Sequence, residues 1–196
     1  MRRDKPATGS SDDLMLRYAR GDLEAFHSLY NRHRAGLYRY FLRQTGPGMA
    51  EELYQDVWAR VINSRRRYRS SAGFRTWLYI LARNRLIDHW RAQGRLPEVD
   101  ADMDDDVLLN ERARARFGPA QLADLRDCIE HLLSQVAVLP DAQRETFLLR
   151  HEAGLTLAQI ATAMKTGTET ARSRLRYASE RLRMTMPEEC LEETGP

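Results

Sequence analysis

Lysine and cysteine are nearly missing from this chain of 196 residues, which has two Lys against 29 Arg and two Cys, Cys128 and Cys190. Two cysteines cannot build a disulfide framework, which fits a reducing compartment. Long apolar runs are missing too: none exceeds residues 77–82, far short of the roughly 20 residues needed to span a bilayer. No membrane segment is therefore expected. Residues 1–13 are polar and lack the apolar stretch of a secretory signal, so the reading is a cytoplasmic protein. No segment alternates apolar and polar residues as a half-buried strand does, and this points to an all-α fold. There is no Gly-rich phosphate loop and no nucleophile elbow, so no catalytic site, small-molecule substrate or cofactor is expected. Cys128 and His131 have C-x-x-H spacing but no second ligand pair nearby. The Asp102, Asp104, Asp105 and Asp106 run lacks the Gly and terminal Glu of a calcium loop. Neither is read as a metal site.

What is present is charge, unevenly placed. Residues 1–96 carry a net +10, residues 97–133 a net −6 and residues 134–196 a net −1, within a total of +3. A basic amino half suits a polyanionic partner such as nucleic acid. Residues 94–106 contain Pro97 and five Asp, can bury little, and read as a flexible acidic linker. The length allows two small domains on either side of it.

Apolar residues recur at helical spacing through 14–43, with a break at Gly21-Asp22, so two helices are expected there. Gly46-Pro47-Gly48 reads as a loop. Leu53, Val57 and Val61 then line one helix face while Glu52, Gln55 and Asp56 share another, an acidic side on a basic domain. After the polar stretch 63–73, residues 74–93 return to helix. Residues 107–117 suggest a short helix, ended by Gly118-Pro119. A helix to Leu139-Pro140 follows, then helices over about 140–152, 156–164 and 167–184, and a frayed acidic end from Pro187.

Two constellations carry chemistry. The first lies at 154–176. Gly154 can end a helix in the left-handed conformation. Thr156 with Gln159 forms a capping box, and Leu155 with Ile160 a hydrophobic staple, so the next helix start is specified twice. Thr166 with Glu169 reads as a second capping box, opening a helix with Ala171, Leu175 and Ala178 inward and Arg172, Ser173 and Arg176 outward. This is a helix-turn-helix, whose second helix would present Arg172 and Arg176 to the major groove. The second constellation is residues 65–95, where nine Arg face a single acid, Asp88, with Tyr68, Phe74, Trp77, Tyr79 and Trp90 interleaved. On a helical wheel Phe74, Trp77, Leu78 and Leu81 cluster on one side, and Arg75, Tyr79, Arg83, Leu86 and Trp90 on the other. That second stripe offers guanidinium groups to phosphates and rings to unpaired bases, each stacked base contributing roughly 1–3 kcal/mol.

With these residues in place the chain resembles an extracytoplasmic-function (group 4) sigma factor of bacterial RNA polymerase, over about residues 12–93 and 128–184. Ala50-Glu51-Glu52-Leu53-Tyr54-Gln55-Asp56-Val57 is similar to the family's segment that binds the polymerase clamp helices. Phe74-Arg75-Thr76-Trp77-Leu78-Tyr79-Ile80-Leu81-Ala82-Arg83-Asn84 is similar to the segment that opens and reads the minus-10 promoter element. Leu139-Pro140-Asp141-Ala142-Gln143-Arg144-Glu145-Thr146-Phe147-Leu148-Leu149-Arg150 and the helix-turn-helix after it are similar to the minus-35 reader. The resemblance implies a polymerase- and minus-10-binding domain over 12–95, a linker over 96–120 and a minus-35 domain over 121–186. It also implies polymerase contacts from Glu52, Leu53, Gln55 and Asp56. Minus-10 contacts would come from Arg65, Arg67, Tyr68, Arg75, Trp77, Tyr79, Arg83 and Asn84, and minus-35 contacts from Thr170, Arg172, Ser173 and Arg176. Partners would be RNA polymerase core, promoter DNA and an anti-sigma factor. In the turn of the helix-turn-helix this chain has Lys165-Thr166 where the family more often has Gly and an apolar residue. Lys at positive φ costs on the order of 1 kcal/mol.

Two other classes fit parts of the pattern. A homodimeric helix-turn-helix regulator on a palindrome would leave the acidic face of Glu52 and Asp56 unexplained. A purely protein-binding helical adaptor would show no salt-dependent DNA affinity, whereas phosphate contacts demand one.

Overall fold

The computed structural model describes residues 9–69, 71–94 and 119–192, and these are helical, with no strand among the described residues. The helices are α1 (Ser11–Ala19), α2 (Leu23–Thr45), α3 (Pro47–Ser64), α4 (Phe74–Ala92), α5 (Pro119–Ala137), α6 (Asp141–His151), α7 (Leu157–Met164), α8 (Thr168–Thr185) and α9 (Glu188–Glu192). A 3-10 turn, Arg65–Arg67, follows α3. The expected linker and the expected helix over 107–117 lie outside the described residues. By its contacts the chain divides into two compact units, Met1–Pro97 with Leu148–Arg172, and Glu98–Phe147 with Ser173–Pro196.

In the first unit, local chemistry places the helix ends. The Ser10 hydroxyl accepts from the Asp13 amide at the start of α1, and the Asp22 carboxylate accepts from the Ala25 amide at the start of α2. The Asp22 carboxyl is held below its usual range, first by that backbone bond and then by Arg17, whose Nη2 lies 2.7 Å away. The expected loop at 46–48 is a single residue. Gly46 turns at φ 78°, and Pro47, whose missing N–H costs nothing at a helix start, opens α3. Apolar faces of α1 to α4 meet in a core that includes Leu14, Met15, Leu29, Leu37, Tyr40, Phe41, Val57, Val61, Phe74, Leu78 and Leu86. A ring cluster, Phe26, Tyr30, Tyr54 and Trp58, joins α2 to α3. Within it the Tyr54 hydroxyl donates to Tyr30 at 2.8 Å, and burial followed by that bond pushes the Tyr54 hydroxyl above its ordinary range. His33 is buried against Phe74 with Ser11 Oγ 2.8 Å from its Nε2. Burial, then the nearby Arg75 and Arg32, lower its pKa to about 4.

The same unit holds α7 and its flanks. Gly154 ends α6 at φ 62°, as expected. Thr156 and Gln159 form both bonds of the capping box, and the staple residues Leu155 and Ile160 are fully buried. Lys165 takes the left-handed conformation, φ 54°, and is the one non-glycine residue at positive φ among the described residues. Its amide and that of Thr166 reach back to Thr162 and Ala161, a Schellman closure of α7. The second expected capping box does not form at Thr166. The first intrahelical bond of α8 runs from Ala171 to the Gly167 carbonyl, so Gly167 occupies the cap, and Glu169 pairs instead with Arg172 at 3.4 Å.

In the second unit Val136, Leu139, Ala178 and Leu182 are buried. Arg144, almost wholly buried, donates to the carbonyls of Ala137 and Leu139 and pairs with Asp141. The carboxyl end is not frayed from Pro187: α9 forms, and Cys190 is disulfide-bonded to Cys128 of α5 across 62 residues. The two cysteines, whose number suggested no disulfide framework, are thus a cross-link. His131 donates to the Thr185 carbonyl at 2.9 Å.

Candidate nucleic-acid interface

The acidic edge is set by the pitch of α3. Leu53 and Val57, four residues apart, are buried and anchor the helix. This leaves Glu52 and Gln55 exposed and Asp56 half-exposed on one side. Leu53, named among the polymerase-contacting residues, is itself fully buried and so acts as the anchor beneath that edge. Gln55 donates to Glu51 at 2.7 Å. Asp56 accepts from Arg85 Nε of α4 at 2.6 Å, and Arg85 Nη2 lies 3.6 Å from Glu52. Arg85 belongs to the basic run of the sequence, but nothing in the run distinguishes it from its eight neighbours.

The face expected to take unpaired DNA lies on the 65–69 segment and α4. Arg67, Arg75 and Asn84 are exposed, and Arg65, Trp77 and Arg83 are half-exposed. The guanidinium of Arg65 sits 5.5 Å from the Tyr18 ring centroid. Arg75 Nη1 donates to the Gly154 carbonyl at 3.2 Å within the same unit. Of the two rings of the expected stripe, Trp90 is half-exposed and Tyr79 is not on the surface. Tyr79 is 1% exposed, edge-on to Tyr40 at 5.4 Å, and Leu86 is fully buried. Burial, then the Glu152 carboxylate, raises the Tyr79 hydroxyl above its ordinary range. Tyr68 is buried too, its ring against Trp77 and Phe74. Its hydroxyl donates to Asp12 Oδ1 at 2.6 Å. The physical reason is that α4 packs against α7 and α2 as well as α1 and α3, so it buries more than one stripe. Trp77 and Trp90 are the rings of α4 left partly open.

Asp12 went unmarked in the sequence. Its Oδ1 also accepts from the Phe74 amide at 2.9 Å, capping α4, whose own cap position is Gly73 and has no side chain to offer. One carboxylate thereby fixes the exit of the 65–73 segment and the start of α4.

On α8, Thr170, Arg172 and Arg176 are exposed and Ser173 half-exposed, while Ala171 and Ala178 are buried. Arg176 lies over the Tyr177 ring, 4.7 Å from its centroid. Among the described residues no group of three His, Cys, Asp or Glu could hold a metal ion, and no helix is long and apolar enough to cross a membrane.

Comparison with known proteins shows the family. Residues 29–96 match Sigma-70 region 2, and residues 136–184 match Sigma-70, region 4. The ECF RNA polymerase sigma factor SigK of Mycolicibacterium vanbaalenii is 31% identical over 90% of this chain and 89% of its own. The RNA polymerase sigma-H factor of Pseudomonas aeruginosa is 32% identical over 85% of this chain and 89% of its own. Among solved structures, CnrH in complex with the cytosolic domain of CnrY shares the fold at TM-score 0.61, with 18% identity over 94% of this chain and 99% of that one. The sigma factor RpoE of Bartonella quintana, in complex with the anti-sigma factor NepR, shares it at TM-score 0.60, with 17% identity over 87% of this chain and 98% of that one. The chain belongs to the extracytoplasmic-function sigma factors, which bring RNA polymerase to promoters and initiate transcription there.

Proposed function

We propose that this sigma factor docks on polymerase core through Glu52, Gln55 and Asp56, with Leu53 setting their pitch from the core. In this reading residues 12–95 take the minus-10 element, residues 96–120 link, and residues 121–186 hold the minus-35 duplex. Arg65, Arg67, Arg75, Trp77, Arg83 and Asn84 meet the minus-10 strand, while Tyr68 and Tyr79 support that face from inside. Thr170, Arg172, Ser173 and Arg176 read the minus-35 element. The observation that carries the reading is the exposed carboxylate edge of Glu52 and Asp56 beside a basic helix with an open Asn84. A DNA-binding protein acting alone gains nothing from that edge; a subunit that must seat on a second protein does.

Opening a promoter costs roughly 1.4 kcal/mol per base-pair step in lost stacking. Capture of unpaired bases offsets this only while the duplex grip at minus-35 keeps both modules local, which linkage through polymerase supplies. The chain contributes binding and no bond-breaking chemistry of its own, and it works in the cytoplasm. Two structural neighbours were solved in complex with CnrY and with an anti-sigma factor, and a comparable inhibitor would hold this chain by masking the same faces.

Run-off transcription with core enzyme on genomic fragments tests the assignments. Glu52→Arg and Asp56→Arg should lose polymerase binding, and Arg172→Ala should keep it while losing promoter selection. Full transcription by all three refutes them.

A further inference from the structure

Arg85 is the residue at which the acidic edge and the DNA-facing helix meet. It follows exposed Asn84 by one residue, about 100° round α4, and its guanidinium is turned toward α3. There Nε lies 2.6 Å from Asp56 Oδ2 and Nη2 lies 3.6 Å from Glu52 Oε1. Two carboxylates face one cation, so the edge keeps a net negative charge for a basic partner. The carboxylate side is open to exchange, with the side chains of Asp56 and Glu52 44% and 60% exposed, while the Arg85 side chain is 22% exposed; ion pairs that reach water on one side are weaker than enclosed ones. His89, one turn further along α4, belongs to the same corner. Burial and then Arg85 lower its pKa, while Glu52 acts in the opposite sense.

We propose that Arg85 is a promoter-phosphate ligand held in reserve by the docking carboxylates. In the free chain Asp56 and Glu52 occupy its guanidinium. When basic groups of the polymerase take those carboxylates, Arg85 is released to the DNA backbone beside Asn84. This rests on the docking role of Glu52 and Asp56, and it makes docking and DNA grip a single exchange of ion pairs. One chain thereby binds DNA better on the polymerase than off it, without any change of fold.

The free full-length chain tests this directly, with a fluorescein-labelled single-stranded oligonucleotide as probe and anisotropy measured across a salt series. Asp56→Asn should free Arg85, making the slope of log affinity against log salt more negative by about 0.7 and tightening low-salt binding about threefold. Glu51→Gln removes the same charge from the same helix without touching Arg85 and should leave the slope unchanged. In an Arg85→Gln background the effect of Asp56→Asn should vanish, and in an Arg85→Lys background it should persist, which also answers any loss of folding in the glutamine variant. If Asp56→Asn acts equally with and without Arg85, or no more than Glu51→Gln, the proposal is overturned. In the holoenzyme Arg85→Gln should bind core at least as well as wild type yet form fewer open complexes; weaker core binding would make Arg85 a static support and overturn it too. The oligonucleotide measurement contains no polymerase, so its failure is separate from failure of the docking assignment, which core binding by Asp56→Arg decides.

Discussion

The Asp12 carboxylate caps the Phe74 amide at 2.9 Å across 62 residues of sequence. The same oxygen holds the Tyr68 hydroxyl at 2.6 Å, so α1, the 65–73 segment and α4 share one acceptor. Asp12→Ala should destabilise the fold by about 2–3 kcal/mol, since it removes two bonds to a charged acceptor and leaves a buried phenol unsatisfied. Denaturant unfolding measures the loss, and Asp12→Asn, which keeps an acceptor, should recover part of it. A change below about 0.5 kcal/mol for Asp12→Ala would show that the cap is not structural.

His33 makes stability depend on pH. Its folded pKa is about 4 against 6.5 in the free side chain. Between those values the unfolded chain binds the proton and the folded chain does not, so stability is lost as pH falls from 6.5 toward 4, by up to about 3 kcal/mol. Between pH 6.5 and 5, before most carboxylates titrate, His33→Gln should flatten the dependence. His89 and His151 are also lowered by burial, but both are less enclosed. An unchanged slope in His33→Gln would remove His33 as the cause.

Lys165 bears the left-handed turn between α7 and α8. Glycine adopts that conformation without the Cβ penalty, and the relief, less the extra freedom glycine gives the unfolded chain, leaves a gain of up to about 1 kcal/mol. Lys165→Gly should raise the thermal midpoint and Lys165→Val should lower it. The reverse order would contradict the assigned geometry.

The Cys128–Cys190 bridge closes a loop spanning 62 residues that contains α6, α7 and α8. The loop-entropy relation gives about 4 kcal/mol for a closure of that length. Reduction by dithiothreitol, or Cys128→Ser, should lower the thermal midpoint of the oxidised chain. Equal melting of oxidised and reduced protein would show that the cross-link contributes nothing.

The helix start at Thr156, where a side chain caps its own helix, was legible, but the Ser10 cap of α1 was not, since the apolar pattern begins only at residue 14. At Thr166 the same rule misled, because Gly167 lies next to it and takes the cap. The acidic edge was legible because Leu53, Val57 and Val61 repeat every four residues on one face. The aromatic stripe was not: α4 buries Tyr79 and Leu86 as well as Phe74 and Leu78, and a wheel drawn for one buried face misplaces residues of a helix packed on two sides. Asp12 with Phe74, Arg85 with Asp56 and Cys128 with Cys190 are pairings made only by folding, and no window of sequence contains both partners.

Binding of the purified, labelled chain to core polymerase at low salt, without any inhibitor present, probes the account most directly. Wild type should associate, while Glu52→Arg and Asp56→Arg should each weaken association at least about tenfold, the loss expected when a favourable charge contact becomes a repulsive one. No association of the wild-type chain, or equal association of all three, would contradict it.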